Sequence, residues 1–304
     1  MEYHKFADHL PEFSRLIYGV WRLGDDANTD HAHIIKKIAS CLEQGITTFD
    51  HADIYGGYVC EKLFGDALND APSLKSQMQI ITKCDIMLTT DKHPDRRVKY
   101  YDTSAAHLTA SVDASLSNIG VDAIDMLLIH RPDPFMDHHE TGAALDALIA
   151  SGKIKSAGVS NFKAHDWNLL QSAMKNKLVT NQIELSVLER SAFVNGDMAF
   201  LQQHGIAPMA WSPLAGGDLF NPANEAGQRV MPRMKELAEE NGVGVEGVDA
   251  IAFAWLLAHP AKICPVIGTN NLDRIARISD CLKVKIDRET WYELWTLAEG
   301  NEVP

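Results

Sequence analysis

Four polar residues of the sequence have side chains that together can deliver a proton to a carbonyl group. Asp50, Tyr55, Lys83 and His130 supply a carboxylate, a phenol, an ammonium and an imidazole. A phenol with a pKa near ~10 is a weak acid by itself. A neighbouring ammonium favours its ionisation, and a carboxylate can hold that ammonium in place. A neutral imidazole can donate a hydrogen bond that orients the carbonyl. The set therefore indicates acid catalysis on a carbonyl.

Strands of a parallel sheet must bring these side chains together. The carboxylate, the ammonium and the imidazole each follow an apolar run of strand length, at residues 46–49, 78–82 and 124–129. Catalytic groups of α/β barrels lie at the carboxyl ends of the strands, so we expect all four at one rim. Taken singly, each has a structural alternative, since a rim tyrosine, a solvated strand-end lysine and a core histidine are all common.

The apolar runs alternate with segments of helical period, which predicts a (β/α)8 TIM barrel. The predicted strands are residues 15–20, 46–49, 78–82, 124–129, 154–159, 180–184, 207–211 and 263–267. The predicted barrel helices are residues 31–44, 60–69, 104–119, 140–150, 165–176, 196–204, 230–241 and 270–281. Additional helices are predicted in the C-terminal half, at 245–259 and 287–299. A doubly wound sheet is disfavoured because no G-x-G-x-x-G turn follows the first strand.

The connections predict one barrel domain spanning residues 1–304. No linker rich in Pro, Gly or Ser divides the chain. Two long irregular stretches, 84–103 and 215–230, are predicted to hang over the rim that carries the polar residues, because irregular stretches of that length are usually functional.

Composition bounds the partners and the compartment. Hydrophobic residues make up 46% and charged residues 23% of the 304 residues, as in ordinary globular proteins. A net charge of −13 disfavours nucleic acid and anionic membranes as partners. No window approaches the roughly 18 apolar residues of a membrane span, and the N-terminus lacks a signal peptide pattern. Five scattered cysteines indicate reduced thiols, so we expect a cytoplasmic protein.

A metal site is not predicted. His138 and His139 follow two aspartates, but neighbouring residues on an irregular loop point in different directions, and no H-x-x-x-H pattern or cysteine partner accompanies them.

Short motifs in a fixed order resemble those of the aldo-keto reductases. They are D-x-A-x-x-Y-G from Asp50, I-x-x-K ending at Lys83, L-L-I-H ending at His130, G-V-S-N-F from Gly158, N-Q-I-E from Asn181, W-S-P-L from Trp211 and I-G-T from Ile267. The resemblance covers nearly the whole chain. It implies a catalytic tetrad of Asp50, Tyr55, Lys83 and His130, with Tyr55 as proton donor. It also implies NADPH as cofactor and a small aldehyde or ketone as substrate.

The resemblance further implies which residues bind the cofactor. Ser160, Asn161 and Gln182 would hold the nicotinamide carboxamide, and Trp211 would stack on its ring. Other implied contacts are Val20, Trp21, Arg22, Ser212, Pro213, Leu214, Gly216, Gly268, Thr269, Asn270 and Arg274. Arg274, with Arg277, favours NADPH over NADH.

Several positions depart from the family pattern. Many members have Lys at the position of Gly268 and a Glu-Asn pair at Arg277 and Ile278, so weaker cofactor binding is expected. His51 stands where Thr or Ser is common. The substrate pocket is expected to be walled by Trp21, Tyr58, Ile86, Met87 and Arg131.

A second function is also compatible with the resemblance. Some barrels of this family act as cofactor-bound accessory subunits with slow chemistry, as in the β subunits of potassium channels. Rapid turnover of a carbonyl distinguishes the enzyme from such a sensing subunit.

Overall fold

The computed structural model describes residues 1–303, and its central feature is a closed barrel of eight parallel strands. The strands are β1 (Ile17–Gly19), β2 (Thr48–Asp50), β3 (Gln79–Cys84), β4 (Met126–Ile129), β5 (Ala157–Ser160), β6 (Leu178–Glu184), β7 (Met209–Trp211) and β8 (Cys264–Ile267). Each strand pairs in parallel with the next one along the chain, and β8 closes the barrel against β1. The predicted (β/α)8 barrel is confirmed.

Helices surround the barrel. They are α1 (His31–Glu43), α2 (Cys60–Asp70), α3 (Ala105–Ile119), α4 (His138–Ala150), α5 (Ala164–Ser172), α6 (Asp197–Gln203), α7 (Glu225–Glu240), α8 (Val248–Leu257), α9 (Leu272–Ile275) and α10 (Arg288–Glu299). The two additional helices predicted in the C-terminal half, at 245–259 and 287–299, correspond to α8 and α10. The predicted helix at 270–281 is wrong in part, because α9 has only four residues and a 3-10 turn, Ile278–Lys283, follows it.

Polar caps set helix starts that the apolar pattern does not mark. The Asn224 side chain accepts a hydrogen bond from the Gly227 N–H, so α7 begins five residues before the predicted 230. The Asp137 side chain likewise accepts from His139 and Glu140. His138 and His139 therefore lie in the first turn of α4, and their placement on an irregular loop was wrong.

The two stretches predicted to be irregular contain regular structure. Within 84–103, Ile86–Met87 pairs antiparallel with Tyr100–Tyr101. We call this element the 86–101 hairpin. Within 215–230, a 3-10 turn at Ala215–Phe220 leads towards the start of α7.

The lower mouth of the barrel is closed by an N-terminal hairpin, Tyr3–His4 paired with Phe13–Ser14. Phe13 is fully buried and packs with inward-facing residues of the strands, among them Ile17, Met126 and Met209. The opposite mouth, at the carboxyl ends of the strands, is left open for a site.

Between the strands and the helices, the remaining core is apolar, and all five cysteines are buried and free. Within the described residues, no helix is both long enough and apolar enough to cross a bilayer.

Candidate active site

Lys83 lies at the centre of the polar residues on the open mouth. Its Nζ donates to Asp50 Oδ2 at 2.7 Å, to the Tyr55 hydroxyl at 2.9 Å and to the His51 carbonyl at 2.8 Å. The Lys83 side chain has no solvent exposure. All three protons of the ammonium are therefore used, and its position is fixed.

The local chain path explains this convergence. Asp50 ends β2 and lies beside Ile81 of β3, two residues before Lys83. Tyr55 follows on a tight turn in which Gly56 has a φ of 60°. A Cβ atom at Gly56 would lie 2.7 Å from the Cys60 sulfur, so only glycine fits there.

The environment keeps Tyr55 protonated. Burial raises the pKa of Tyr55, and the Lys83 ammonium offsets only part of that rise. The Lys83 ammonium lowers the pKa of Tyr55, as expected, but burial has the larger effect. The expected net lowering of the phenol's pKa is therefore wrong. Burial alone would lower the pKa of Lys83, but Asp50 and the Tyr55 hydroxyl raise it above its ordinary value. At neutral pH the pair is a neutral phenol beside an ammonium.

His130 follows β4, and its ring meets the Tyr55 ring edge to face with centroids 6.0 Å apart. Burial, followed by the charges of Lys83, Arg131 and Lys99, lowers the pKa of His130 well below its ordinary value. The imidazole is therefore neutral at physiological pH and can donate one hydrogen bond.

A cavity of about 1060 Å³ opens in front of these groups. Asp50, Tyr55 and His130 line it, whereas the buried Lys83 lies behind them. Of the predicted cofactor contacts, these also line it: Trp21, Arg22, Ser160, Asn161, Gln182, Trp211, Ser212, Pro213, Leu214, Gly216, Gly268, Thr269, Asn270 and Arg274. Val20 does not, because its side chain points into the hydrophobic core.

Hydrogen bonds hold the side chains at the tetrad end of the cavity. Trp211 Nε1 donates to Asn161 Oδ1 at 3.0 Å, which fixes the plane of the indole. Gln182 Nε2 donates to Asp50 Oδ1 at 2.8 Å, linking β6 to the tetrad. Asn161 itself has a φ of 61°, a strained conformation for a non-glycine residue and one found at functional sites.

Several residues with left-handed backbone lie at another part of the cavity wall. Ser212, Ala215, Gly216 and Gly217 have φ values of 50°, 52°, 67° and 113°. The Ala215 and Gly217 N–H groups donate to the Ser212 and Leu214 carbonyls within this turn. Gly216 and Gly217 have no side chains, so a ligand can approach the backbone closely here. Arg22 reaches across and donates to the Gly216 carbonyl at 2.9 Å.

Arg274 also lines the cavity. It is exposed and lies in α9, where the Asn271 side chain accepts a hydrogen bond from its backbone N–H. Arg277 does not line the cavity, and its guanidinium pairs with Asp249 at 3.5 Å.

The cavity wall beyond the tetrad is formed partly by the 86–101 hairpin. Ile86, Lys99 and Tyr101 line the cavity together with Trp21 and Arg131. The predicted wall residues Tyr58 and Met87 do not line it. Lys99 and Tyr101 were missed because the whole stretch was interpreted as irregular; the aromatic pair Tyr100-Tyr101 was the available signal for a strand.

These features fit a dinucleotide cofactor. The cavity is large enough for such a ligand, and its lining includes the aromatic face of Trp211, two glycines that leave the backbone accessible, and the Arg274 guanidinium. Among the described residues, no group of three or more His, Cys, Asp or Glu side chains is arranged to hold a metal ion.

Comparisons with known proteins agree with this geometry. Residues 15–299 match the model of the aldo/keto reductase family. The chain is 55% identical to a 6-dehydroglucose reductase of Agrobacterium fabrum, covering 96% of both chains, and 39% identical to the Escherichia coli oxidoreductase YdhF, covering 98% of both. A glycerol dehydrogenase from Gluconobacter oxydans shares the fold, with a TM-score of 0.86 at 22% identity over 99% of this chain and 97% of that one.

A Klebsiella pneumoniae aldo/keto reductase solved with NADP and acetate also shares the fold, with a TM-score of 0.75 at 21% identity over 94% of this chain and 92% of that one. The family match covers most of the chain and the relatives align along their whole lengths. This chain belongs to the aldo/keto reductase family of oxidoreductases.

Proposed function

We propose that the protein is an NADPH-dependent reductase that converts small hydroxylated aldehydes to alcohols, with Tyr55 as the proton donor. The observation that carries the proposal is the contact of the Tyr55 hydroxyl with the buried Lys83 ammonium at 2.9 Å, at the wall of a cavity that fits a dinucleotide.

The chain's own residues account for the proton and the orientation of the substrate. Bound NADPH supplies the hydride. Neutral His130 donates a hydrogen bond to the aldehyde oxygen, and Tyr55 transfers its proton to that oxygen as negative charge develops. The Lys83 ammonium stabilises the phenolate that remains, and Asp50 keeps the ammonium in place.

Polar groups at the substrate end support a hydroxylated substrate. Lys99, Tyr101 and Arg131 line that end and offer an ammonium, a phenol and a guanidinium as hydrogen-bond donors. Trp21 is 54% exposed at the same mouth and offers a flat apolar face. Two relatives, 55% and 36% identical, are 6-dehydroglucose reductases, whose substrate is a polyhydroxylated carbonyl compound. We propose the same class for this chain.

A panel of matched aldehydes tests the substrate class. D-glyceraldehyde is compared with propanal, and 6-dehydroglucose with hexanal, so that each pair differs in its oxygen substituents and not in carbon number. We expect kcat/KM to be higher by about tenfold or more for the hydroxylated member of each pair, as expected for two or more added hydrogen bonds. Equal or reversed preference contradicts the proposed class, and absence of turnover with tight NADPH retention favours the accessory-subunit function.

A cofactor comparison tests the NADPH preference. Arg274 is an exposed guanidinium of the cavity lining. If it binds the 2′-phosphate, Arg274→Ala weakens NADPH binding about tenfold, the size of one charged contact, and leaves NADH binding unchanged. Arg288→Ala, on α10 and outside the cavity lining, serves as the control. Equal losses for both cofactors contradict a 2′-phosphate contact.

A further inference from the structure

The turn that follows Tyr55 contains an unusual residue. Gly56, Gly57 and Tyr58 have consecutive left-handed φ values of 60°, 66° and 71°. Glycine adopts this conformation freely, but a bulky aromatic residue does so only where surrounding contacts hold it. The contacts that hold Tyr58 come from the 86–101 hairpin.

The Tyr58 hydroxyl joins the turn to both ends of the hairpin's loop. It accepts hydrogen bonds from the Leu88 N–H at 2.9 Å and from Arg96 Nη1 at 2.8 Å, and it donates to the Ile86 carbonyl at 3.3 Å. A phenol has one donor and two acceptor positions, so all of them are used. Arg96 Nη1 also donates to the Leu88 carbonyl at 3.1 Å, which closes the network.

Two further contacts surround the same residue. Lys92 Nζ donates to the Tyr58 carbonyl at 2.7 Å. The His93 ring meets the Tyr58 ring edge to face with centroids 5.0 Å apart, and the Arg96 guanidinium lies 5.7 Å from the ring centre. The loop of the hairpin is therefore gathered around one tyrosine, three residues after the proposed acid.

The same hairpin supplies the substrate end of the cavity. Ile86 and Tyr101 lie on its two strands, and Lys99 precedes the second strand. Tyr58 itself does not line the cavity. Its effect on substrate must therefore pass through the hairpin that it holds.

We propose that Tyr58 is a positioning residue for substrate specificity: its hydroxyl holds the 86–101 hairpin against the turn that carries Tyr55, and so presents Lys99 and Tyr101 to the hydroxyl groups of the aldehyde. The specificity role rests on the proposed reductase function, whereas the attachment of the hairpin does not. The nicotinamide and adenosine ends of the cavity are formed by other elements, so cofactor binding is independent of Tyr58.

Steady-state kinetics of Tyr58→Phe test the specificity role. The variant keeps the ring and removes the three hydroxyl contacts. We expect KM for D-glyceraldehyde to rise about tenfold, KM for propanal to rise less than about twofold, and kcat and the NADPH dissociation constant to stay within about twofold. Tyr100→Phe is the matched control, because this hairpin tyrosine is 43% exposed and does not line the cavity. A uniform loss for both aldehydes, or no change, overturns the role.

Limited trypsin digestion tests the attachment without any substrate. Lys92, Arg96, Arg97 and Lys99 place cleavage sites within the hairpin's loop. Cleavage between residues 92 and 100 of the intact folded protein, followed by mass spectrometry, is expected to be about tenfold faster in Tyr58→Phe and unchanged in Tyr100→Phe. Equal rates for the two variants overturn the attachment, even if no aldehyde is reduced.

A second variant separates the hydroxyl network from other effects of the ring. Arg96→Gln removes the guanidinium that bonds both the Tyr58 hydroxyl and Leu88. We expect it to raise KM for D-glyceraldehyde about as much as Tyr58→Phe, and the double variant to add less than about twofold, because both changes break one network. Fully multiplicative effects contradict the proposal.

Discussion

At the residue scale, the site is built on groups whose charge states burial has fixed. His51 shows this most simply. Its ring is fully buried against Phe64, and neither ring nitrogen has a hydrogen-bond partner among the described residues. Burial, and then the Lys83 charge, lower the pKa of His51 to about 3. The folded protein therefore holds a neutral imidazole at pH values where the unfolded chain binds a proton.

The stability of the protein is expected to depend on pH through His51. The pKa of His51 is lower in the folded protein than in the unfolded chain. Its contribution to the free energy of unfolding is therefore complete above about pH 6.5 and is lost as the pH falls. When the pH is lowered from 7.5 to 5, the free energy of unfolding should fall by about 2 kcal/mol less in His51→Thr than in the wild type. Urea unfolding at the two pH values measures this difference. His165→Asn, at a side chain 82% exposed, is the control, and an identical pH dependence in all three proteins contradicts the interpretation.

Sequence patterns located the four polar residues but not their energetics. Asp50, Lys83 and His130 could be placed because each follows an apolar run, and strand ends of a parallel barrel share a rim. The rise in the pKa of Tyr55 could not be predicted from the sequence, because it depends on how completely the phenol is buried. Lys99 reaches the cavity through the pairing of the 86–101 hairpin, a non-local contact that local patterns do not encode.

At the element scale, close packing of helices limits which residues are tolerated. Gly65 on α2 lies against the end of α3, and a Cβ atom there would be 1.9 Å from the Asn118 carbonyl oxygen. Backbone atoms on both sides would have to separate to admit a methyl group. Such overpacking usually costs about 1–3 kcal/mol and sometimes more.

We expect Gly65→Ala to lower the free energy of unfolding by about 3 kcal/mol, despite the higher helix propensity of alanine. Gly152→Ala is the comparison, because a Cβ atom there meets nothing within 4 Å and only its φ of 77° is unfavourable, which costs about 1–2 kcal/mol. Urea denaturation of both variants measures the difference. A Gly65 variant no less stable than the Gly152 variant contradicts the packing argument.

Elements were easier to identify from the sequence than their limits. The eight strands and most helices follow the apolar periods, but several predicted strands are too long, such as 15–20 for β1. Apolar residues flanking a strand pack in the core without joining its hydrogen-bonded ladder, so hydrophobicity alone overestimates length. Capping side chains, such as Asn224, set helix starts that lie outside the apolar pattern.

At the scale of the whole molecule, the barrel separates stability from chemistry. The N-terminal hairpin closes one mouth, whereas the tetrad and the cavity occupy the other. Phe13 is buried at the closed mouth, in an apolar cluster with Ile17, Met126 and Met209.

Phe13→Ala is accordingly expected to reduce the free energy of unfolding by about 3–5 kcal/mol, the usual effect of removing a buried aromatic ring. The kcat/KM of the folded fraction should remain within about twofold of the wild type, since kinetic parameters report the site and not the core. Chemical denaturation and steady-state assays at low temperature measure the two quantities. A large fall in kcat/KM without loss of stability contradicts the separation of the two mouths.

The most direct measurement of the central claim is the single-turnover rate of NADPH oxidation by Tyr55→Phe with saturating D-glyceraldehyde. Loss of the hydroxyl removes the proton donor but leaves Lys83 paired with Asp50. The account predicts a rate lower by about 10²–10⁴ with unchanged NADPH affinity, while Tyr100→Phe reacts as the wild type does. A Tyr55→Phe rate within about threefold of the wild-type rate would contradict it.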